Sequence, residues 1–135
     1  MILVDTSVWI DYFNGKEDLH TEILDHSIVD GTVAMGDIIF LEILQGFRND
    51  QDYQKVRSRL TTLDQYELFG NDMVYQCADN YRTLRKKGIT IRATTDVIIA
   101  TYCIKHKLPL LFIDRDFHPF VDHLGLISAM AETRR

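Results

Sequence analysis

Residues 1–10 read Met1-Ile2-Leu3-Val4-Asp5-Thr6-Ser7-Val8-Trp9-Ile10. Four apolar residues are too few for a helix but enough for a short buried strand, and they stop at a carboxylate. Two hydroxyl residues follow, Thr6 and Ser7, a turn that supplies an N-cap candidate. Val8, Trp9, Tyr12 and Phe13 then recur at helical spacing until Asn14-Gly15 ends the segment. The pattern of strand, polar turn and helix repeats along the chain. Val33-Ala34-Met35 leads through Gly36-Asp37 into a helix reaching Phe47. Leu110 to Ile113 forms another apolar strand, closed by Asp114. Strands alternating with helices predict a mostly parallel central sheet with helices on both faces, a three-layer α/β/α sandwich.

The remaining segments fill in this scheme. Helical spacing is expected over 17–29 (Leu19, Ile23, Leu24) and over a polar helix from Asp50 to Leu63. A short strand is expected at Tyr66-Leu68-Phe69. Asn71-Asp72 is expected to cap a helix over about 73–87, stopped by Gly88. Thr94-Thr95 opens a helix to His106 that is apolar nearly all round and therefore buried. A last strand is expected near Leu124 to Ile127, before the polar tail Glu132-Thr133-Arg134-Arg135. No repeat or linker divides the chain, so residues 1–135 are expected to form one domain, a size able to bury a real core.

Composition excludes several classes. With 46% hydrophobic and 26% charged residues the chain is neither disordered nor membrane-spanning. It opens without a basic region ahead of its apolar run, so no export signal is expected, and a cytoplasmic setting follows. Cys77 and Cys103 fall in helical segments without zinc or disulfide spacing and read as small buried thiols. The net charge of −5 is unevenly spread. Between Arg82 and Lys107 lie Arg82, Arg85, Lys86, Lys87, Arg92, Lys105 and Lys107, with Asp96 the sole acid. That segment suits a phosphate-bearing ligand. Equally, Arg85-Lys86-Lys87 before Gly88 complements a helix C-terminus.

Four acids carry the chemistry. Asp5 closes the first apolar run, and Glu42 lies within Ile38-Ile39-Phe40-Leu41-Glu42-Ile43-Leu44. Asp96 opens Val97-Ile98-Ile99-Ala100, and Asp114 closes Leu110-Leu111-Phe112-Ile113. A carboxylate among apolar neighbours is costly unless it is paired or bound to a cation. Two of the four follow strands, at the sheet edge where open parallel sheets bind ligands. Convergence there needs neutralisation, because two unit charges 4 Å apart repel by about 4 kcal/mol at an effective dielectric near 20. An all-oxygen set suits Mg2+ or Mn2+ rather than zinc. Asp116, two residues past Asp114, is either a further ligand or a cap for the turn at Phe117. The five histidines show no ligand spacing with these acids. Trp9, Tyr12 and Phe13 read as core or interface residues rather than a base-stacking platform.

Val4-Asp5-Thr6-Ser7-Val8-Trp9-Ile10 resembles the opening of PIN-domain proteins. Leu41-Glu42-Ile43-Leu44-Gln45-Gly46, Thr95-Asp96-Val97-Ile98-Ile99-Ala100 and Asp114-Arg115-Asp116-Phe117 follow in the order that family shows. In length the chain is similar to the VapC toxins of VapBC toxin–antitoxin pairs. The resemblance implies a Mg2+- or Mn2+-dependent endoribonuclease, a VapB-type antitoxin partner and a homodimer. It assigns catalysis to Asp5, Glu42, Asp96 and Asp114, and metal binding to Asp5, Asp96, Asp114 and Asp116. Thr6 or Ser7 becomes the hydroxyl that orients the first acid or a bound water. Arg82, Arg85 and Lys86 are candidates for RNA phosphates, or for an acid of the antitoxin.

Rival enzymes fit less well. A haloacid-dehalogenase-type phosphatase needs an Asp where Ser7 stands, a receiver-type phosphoacceptor needs a late Lys where Arg115 stands, and no P-loop motif is present. Two alternatives remain open: a non-catalytic RNA- or protein-binding module of this fold, and an RNA-processing or DNA nuclease of the same fold.

Overall fold

The structure is a computed structural model that describes residues 1–130; the polar tail expected at 132–135 lies outside the described residues. The expected three layers are present. The strands are β1 (Ile2–Val4), β2 (Val33–Gly36), β3 (Asp64–Tyr66) and β4 (Leu110–Leu111). They pair in parallel in the order β3-β2-β1-β4. The helices are α1 (Thr6–Phe13), α2 (Leu19–Val29), α3 (Asp37–Gln45), α4 (Asp50–Leu60), α5 (Asn71–Lys86), α6 (Thr94–His106) and α7 (His118–Leu124).

Burial along the strands explains why both sheet faces are covered. Neighbouring strand residues point to opposite faces. Yet Leu3 and Val4 of β1 are both fully buried, as are Leu110 and Leu111 of β4. Such two-sided burial is the mark of a parallel sheet between helix layers. The chain steps from β1 to β2 to β3 in one direction and then places β4 on the far side of β1. With right-handed crossovers, this reversal sends α1 to α4 to one face and α5 and α6 to the other. Packing agrees, since α1 contacts α2 and α3, while α5 contacts α6. The reversal puts the switch point, where open parallel sheets bind ligands, at the carboxyl ends of β1 and β4, the strands that lead into Asp5 and Asp114.

Several boundaries differ from expectation for identifiable reasons. The N-cap of α1 is Asp5 rather than Thr6 or Ser7, its carboxylate accepting from Ser7 N. Asp18 and Thr21 form a capping box, so α2 starts at Leu19 rather than 17. Helices α3 and α4 stop at Gln45 and Leu60, short of Phe47 and Leu63. Gly70, not Asn71-Asp72, is the N-cap of α5. The third strand is Asp64–Tyr66, earlier than the expected Tyr66-Leu68-Phe69. It is an exposed edge strand, so it carries no apolar pattern to read. β4 pairs only through Leu110–Leu111. No strand forms over the expected Leu124 to Ile127: α7 ends at Leu124, closed by Gly125 at φ 83°, and Leu110 N–H donates to Ile127 O at 2.9 Å. Among the described residues a single isolated bridge, Leu110 with Ser128, extends the sheet there.

Leu68 anchors the exit from β3. It is fully buried, its N–H donates to Asp37 Oδ1 at 3.1 Å, and its side chain covers Gly36 at the end of β2. A Cβ on Gly36 would meet Leu68 Cγ at 2.7 Å. Gly36→Ala is therefore expected to cost about 1–3 kcal/mol by overpacking, read from the midpoint of urea unfolding. An unchanged midpoint would mean that Leu68 is free to shift. Cys77 and Cys103 are free and buried, as expected. Trp9 is 1% exposed and stacks on Phe13 with 5.8 Å between ring centroids, which makes it a core residue. It is thereby removed from any dimer surface on α1.

Candidate active site

The first two site residues are set by the β1–α1 junction. Asp5 N–H donates to Leu111 O at 2.9 Å, tying the end of β1 to the end of β4. The Asp5 side chain is 6% exposed and accepts from Ser7 Oγ at 2.7 Å and Ser7 N at 3.4 Å. Burial pushes its carboxyl above the ordinary range. The bonds from Ser7 and from the Thr6 backbone oppose that, and Glu42 adds a smaller repulsion. Thr6 turns the other way. Its hydroxyl donates to Glu42 Oε1 at 2.7 Å, linking α1 to α3. The two neighbouring hydroxyls thus serve different acids, Ser7 holding Asp5 and Thr6 holding Glu42. Glu42 itself is half-buried, although three of its helix neighbours, Ile39, Phe40 and Ile43, are apolar and at least partly buried.

Asp114 follows β4 by three residues and caps a 3-10 turn at Arg115–Phe117, accepting from Asp116 N at 2.9 Å. The turn cap is therefore Asp114, which leaves the Asp116 carboxylate free to face the site. Asp96 occupies the third position of α6. Carboxylate oxygens of Asp96, Asp114 and Asp116 lie within 4.8 Å of one another. Asp5 and Glu42 stand outside this tight group but within electrostatic reach of it. Asp96 is raised from an ordinary 3.8 to about 7, first by burial, then by the charges of Asp5, Asp114, Glu42 and Asp116. A carboxylate serving only as a first-turn helix residue would be shifted the other way by the helix dipole. Among the described residues no side-chain hydrogen bond reaches the Asp96 carboxylate. All five acids therefore meet electrostatically at Asp96.

This donor set fits a divalent cation. It is all oxygen, closely spaced and short of positive charge, a combination that suits a hard divalent cation. Among the described residues no histidine or cysteine joins the group, which argues against a zinc centre. His20 is instead buried against Asp11, with Nε2 2.8 Å from Oδ2.

The basic candidates lie to one side. Arg82, Arg85 and Lys86 are exposed on α5, and among the described residues none forms an ion pair. Arg82 and Arg85 line a groove between α5 and α6, whereas Lys86 does not. The sequence reading missed that groove. Its signal was present in the α5 stripe Val74, Ala78, Tyr81, Arg85, spaced four, three and four residues apart.

Five acids thus gather at the switch point of a β3-β2-β1-β4 parallel sheet. The PIN domain family model matches residues 2–120, and the chain belongs to that family. Ribonuclease VapC11 of Mycobacterium tuberculosis is 28% identical over 119 residues, covering 87% of this chain and 89% of the relative. VapC ribonuclease Mb1587 of Mycobacterium bovis matches to the same extent. Among solved structures, VapBC2 from Rickettsia felis bound to a DNA fragment from its promoter aligns with a TM-score of 0.74. That alignment is 20% identical and covers 95% of this chain and 97% of the other, a likeness of fold.

Proposed function

We propose that this chain is a divalent-metal-dependent endoribonuclease, the toxin of a VapBC-type toxin–antitoxin pair, acting as a single domain. The observation that carries the reading is the gathering of Asp96, Asp114 and Asp116 within 4.8 Å, with Asp96 raised to about 7. The VapC ribonucleases among its relatives support the substrate class. Asp96, Asp114 and Asp116 would hold Mg2+ or Mn2+, with Asp5 closing the set from β1. When bound, such a cation polarises phosphoryl oxygens and lowers the pKa of an attacking water. Ser7 holds Asp5 in one rotamer. Thr6 holds Glu42, whose carboxylate would accept a proton at the site. Arg82, Arg85 and Lys86 steer the RNA backbone toward the acids, offsetting the repulsion an acidic site offers a polyanion. A VapB-type antitoxin and a second copy of the chain are its proposed partners. No helix among the described residues is long and apolar enough to cross a membrane.

The purified chain should cut single-stranded RNA with Mg2+ or Mn2+ and stop when the metal is chelated. Cleavage unaffected by chelation, or none with either metal, would contradict the reading. Phosphate contacts have a separate signature. Arg82→Ala and Arg85→Ala should each reduce the slope of log K against log salt for RNA binding by about 0.7–1. A slope equal to that of wild type would assign both residues to the end of α5 or to the antitoxin.

A further inference from the structure

The groove between α5 and α6 is built for more than a backbone phosphate. Its volume is about 430 Å³, within the range of sites for small organic groups. The buried Cys77, Val97 and Ile98 supply an apolar floor, and Phe69, Ala78 and Tyr81 line the groove nearer the surface. Phe69 and the neighbouring Val74 are 44% and 43% exposed, a local patch of apolar surface left open to solvent. Arg82 and Arg85 border the same groove, and the Arg85 guanidinium carbon lies 5.6 Å from the centroid of the Tyr81 ring. Neither arginine has an acidic partner among the described residues.

We propose that this groove is a base-binding subsite, taking one unstacked nucleotide of the RNA that is cut at the acid centre. The inference rests on the proposed ribonuclease function and adds to it where the flanking chain goes. Aromatic walls beside unpaired cations are what single-stranded nucleic acid needs, because the base stacks while its phosphate meets the arginine. Position agrees with chemistry. Thr94 lines the groove and belongs to the same first turn of α6 as Asp96, so a strand leaving the acids around that helix end enters the groove. A second copy of the chain is the weaker occupant. A two-fold contact centred on Arg82 and Arg85 would bring like charges together and oppose association.

The test separates bases from phosphates. A short oligouridylate and an abasic oligonucleotide of equal length and charge are bound to the full chain in EDTA, where cleavage is stopped. Wild type should bind the base-bearing strand about tenfold more tightly, the scale of one stacked base. Ala78→Leu, which fills the groove from an exposed position, should abolish that preference and keep the salt-dependent affinity for both strands. Tyr81→Ala should weaken the preference in the same direction. Equal binding of both strands by wild type overturns the subsite and leaves the ribonuclease reading standing. Preference retained in Ala78→Leu also overturns it. If light scattering shows that this variant also changes oligomeric state, the groove belongs to a second copy. Failure to bind either strand in EDTA also overturns the subsite, and the ribonuclease reading is then judged separately by cleavage with Mg2+ or Mn2+.

Discussion

Asp96→Asn is expected to melt at a higher temperature than wild type in metal-free buffer at pH 8. In the folded protein Asp96 is raised from 3.8 to about 7 by burial and by its four acidic neighbours. A folded pKa above the unfolded one means that the native state holds the proton more tightly. The resulting stability is fully present below about pH 4 and is lost as pH rises through about 7. Above that, the charged form strains the site by about 2 kcal/mol once solvent screening of a half-buried group is allowed for. Removing the charge should restore this, raising Tm by about 6 °C for a chain of this size. Wild-type Tm should therefore fall between about pH 4 and pH 7 and level off above that, and that of Asp96→Asn should fall less. Excess Mn2+ should reverse the order, stabilising wild type by about 2.7 kcal/mol at a hundredfold excess over Kd. A lower metal-free Tm for Asp96→Asn would show that its carboxylate supports the helix end instead.

The largest effect on activity is expected at Asp5. Asp5→Asn keeps the shape of the N-cap and its bond from Ser7 but removes the charge facing the cation site. Loss of one electrostatic contact to a developing charge is commonly worth at least about a hundredfold in kcat. Asp5→Asn should lose that much RNA cleavage while keeping a cooperative melt. Thr6→Val tests the other hydroxyl. Without its bond from Thr6, Glu42 gains freedom, and kcat should fall by about tenfold with KM nearly unchanged, the pattern of a positioning residue. A change in KM alone would place Thr6 in substrate binding.

The parts of this site that were legible in the sequence share one property. Asp5, Glu42, Asp96 and Asp114 each interrupt an apolar run, and a charge among buried neighbours demands a reason. Strand-end position then located two of them on the ligand-binding edge. The division of labour between Thr6 and Ser7 was not legible, because adjacent hydroxyls of equal reach differ only in what surrounds them after folding. Asp116 was ambiguous for the same cause: either acid of Asp114-Arg115-Asp116 can cap a turn, and backbone direction decides that Asp114 does. The edge strand β3 was expected two residues too late because Leu68, just beyond it, is buried while its own residues are exposed and show no alternation. Helix α7 escaped because it is seven residues long and follows directly on a 3-10 turn, too short for periodicity to register. The α5–α6 groove required the packing of two helices, and no single segment encodes that.

The proposed function requires these carboxylates to converge on a divalent cation. Calorimetric titration of Mn2+ into the metal-free chain tests it most directly, without RNA, antitoxin or turnover. Wild type should show saturable binding, and Asp96→Asn and Asp114→Asn should each weaken it by at least about tenfold. Equal Mn2+ affinity in all three proteins, or no saturable binding in wild type, would contradict the account.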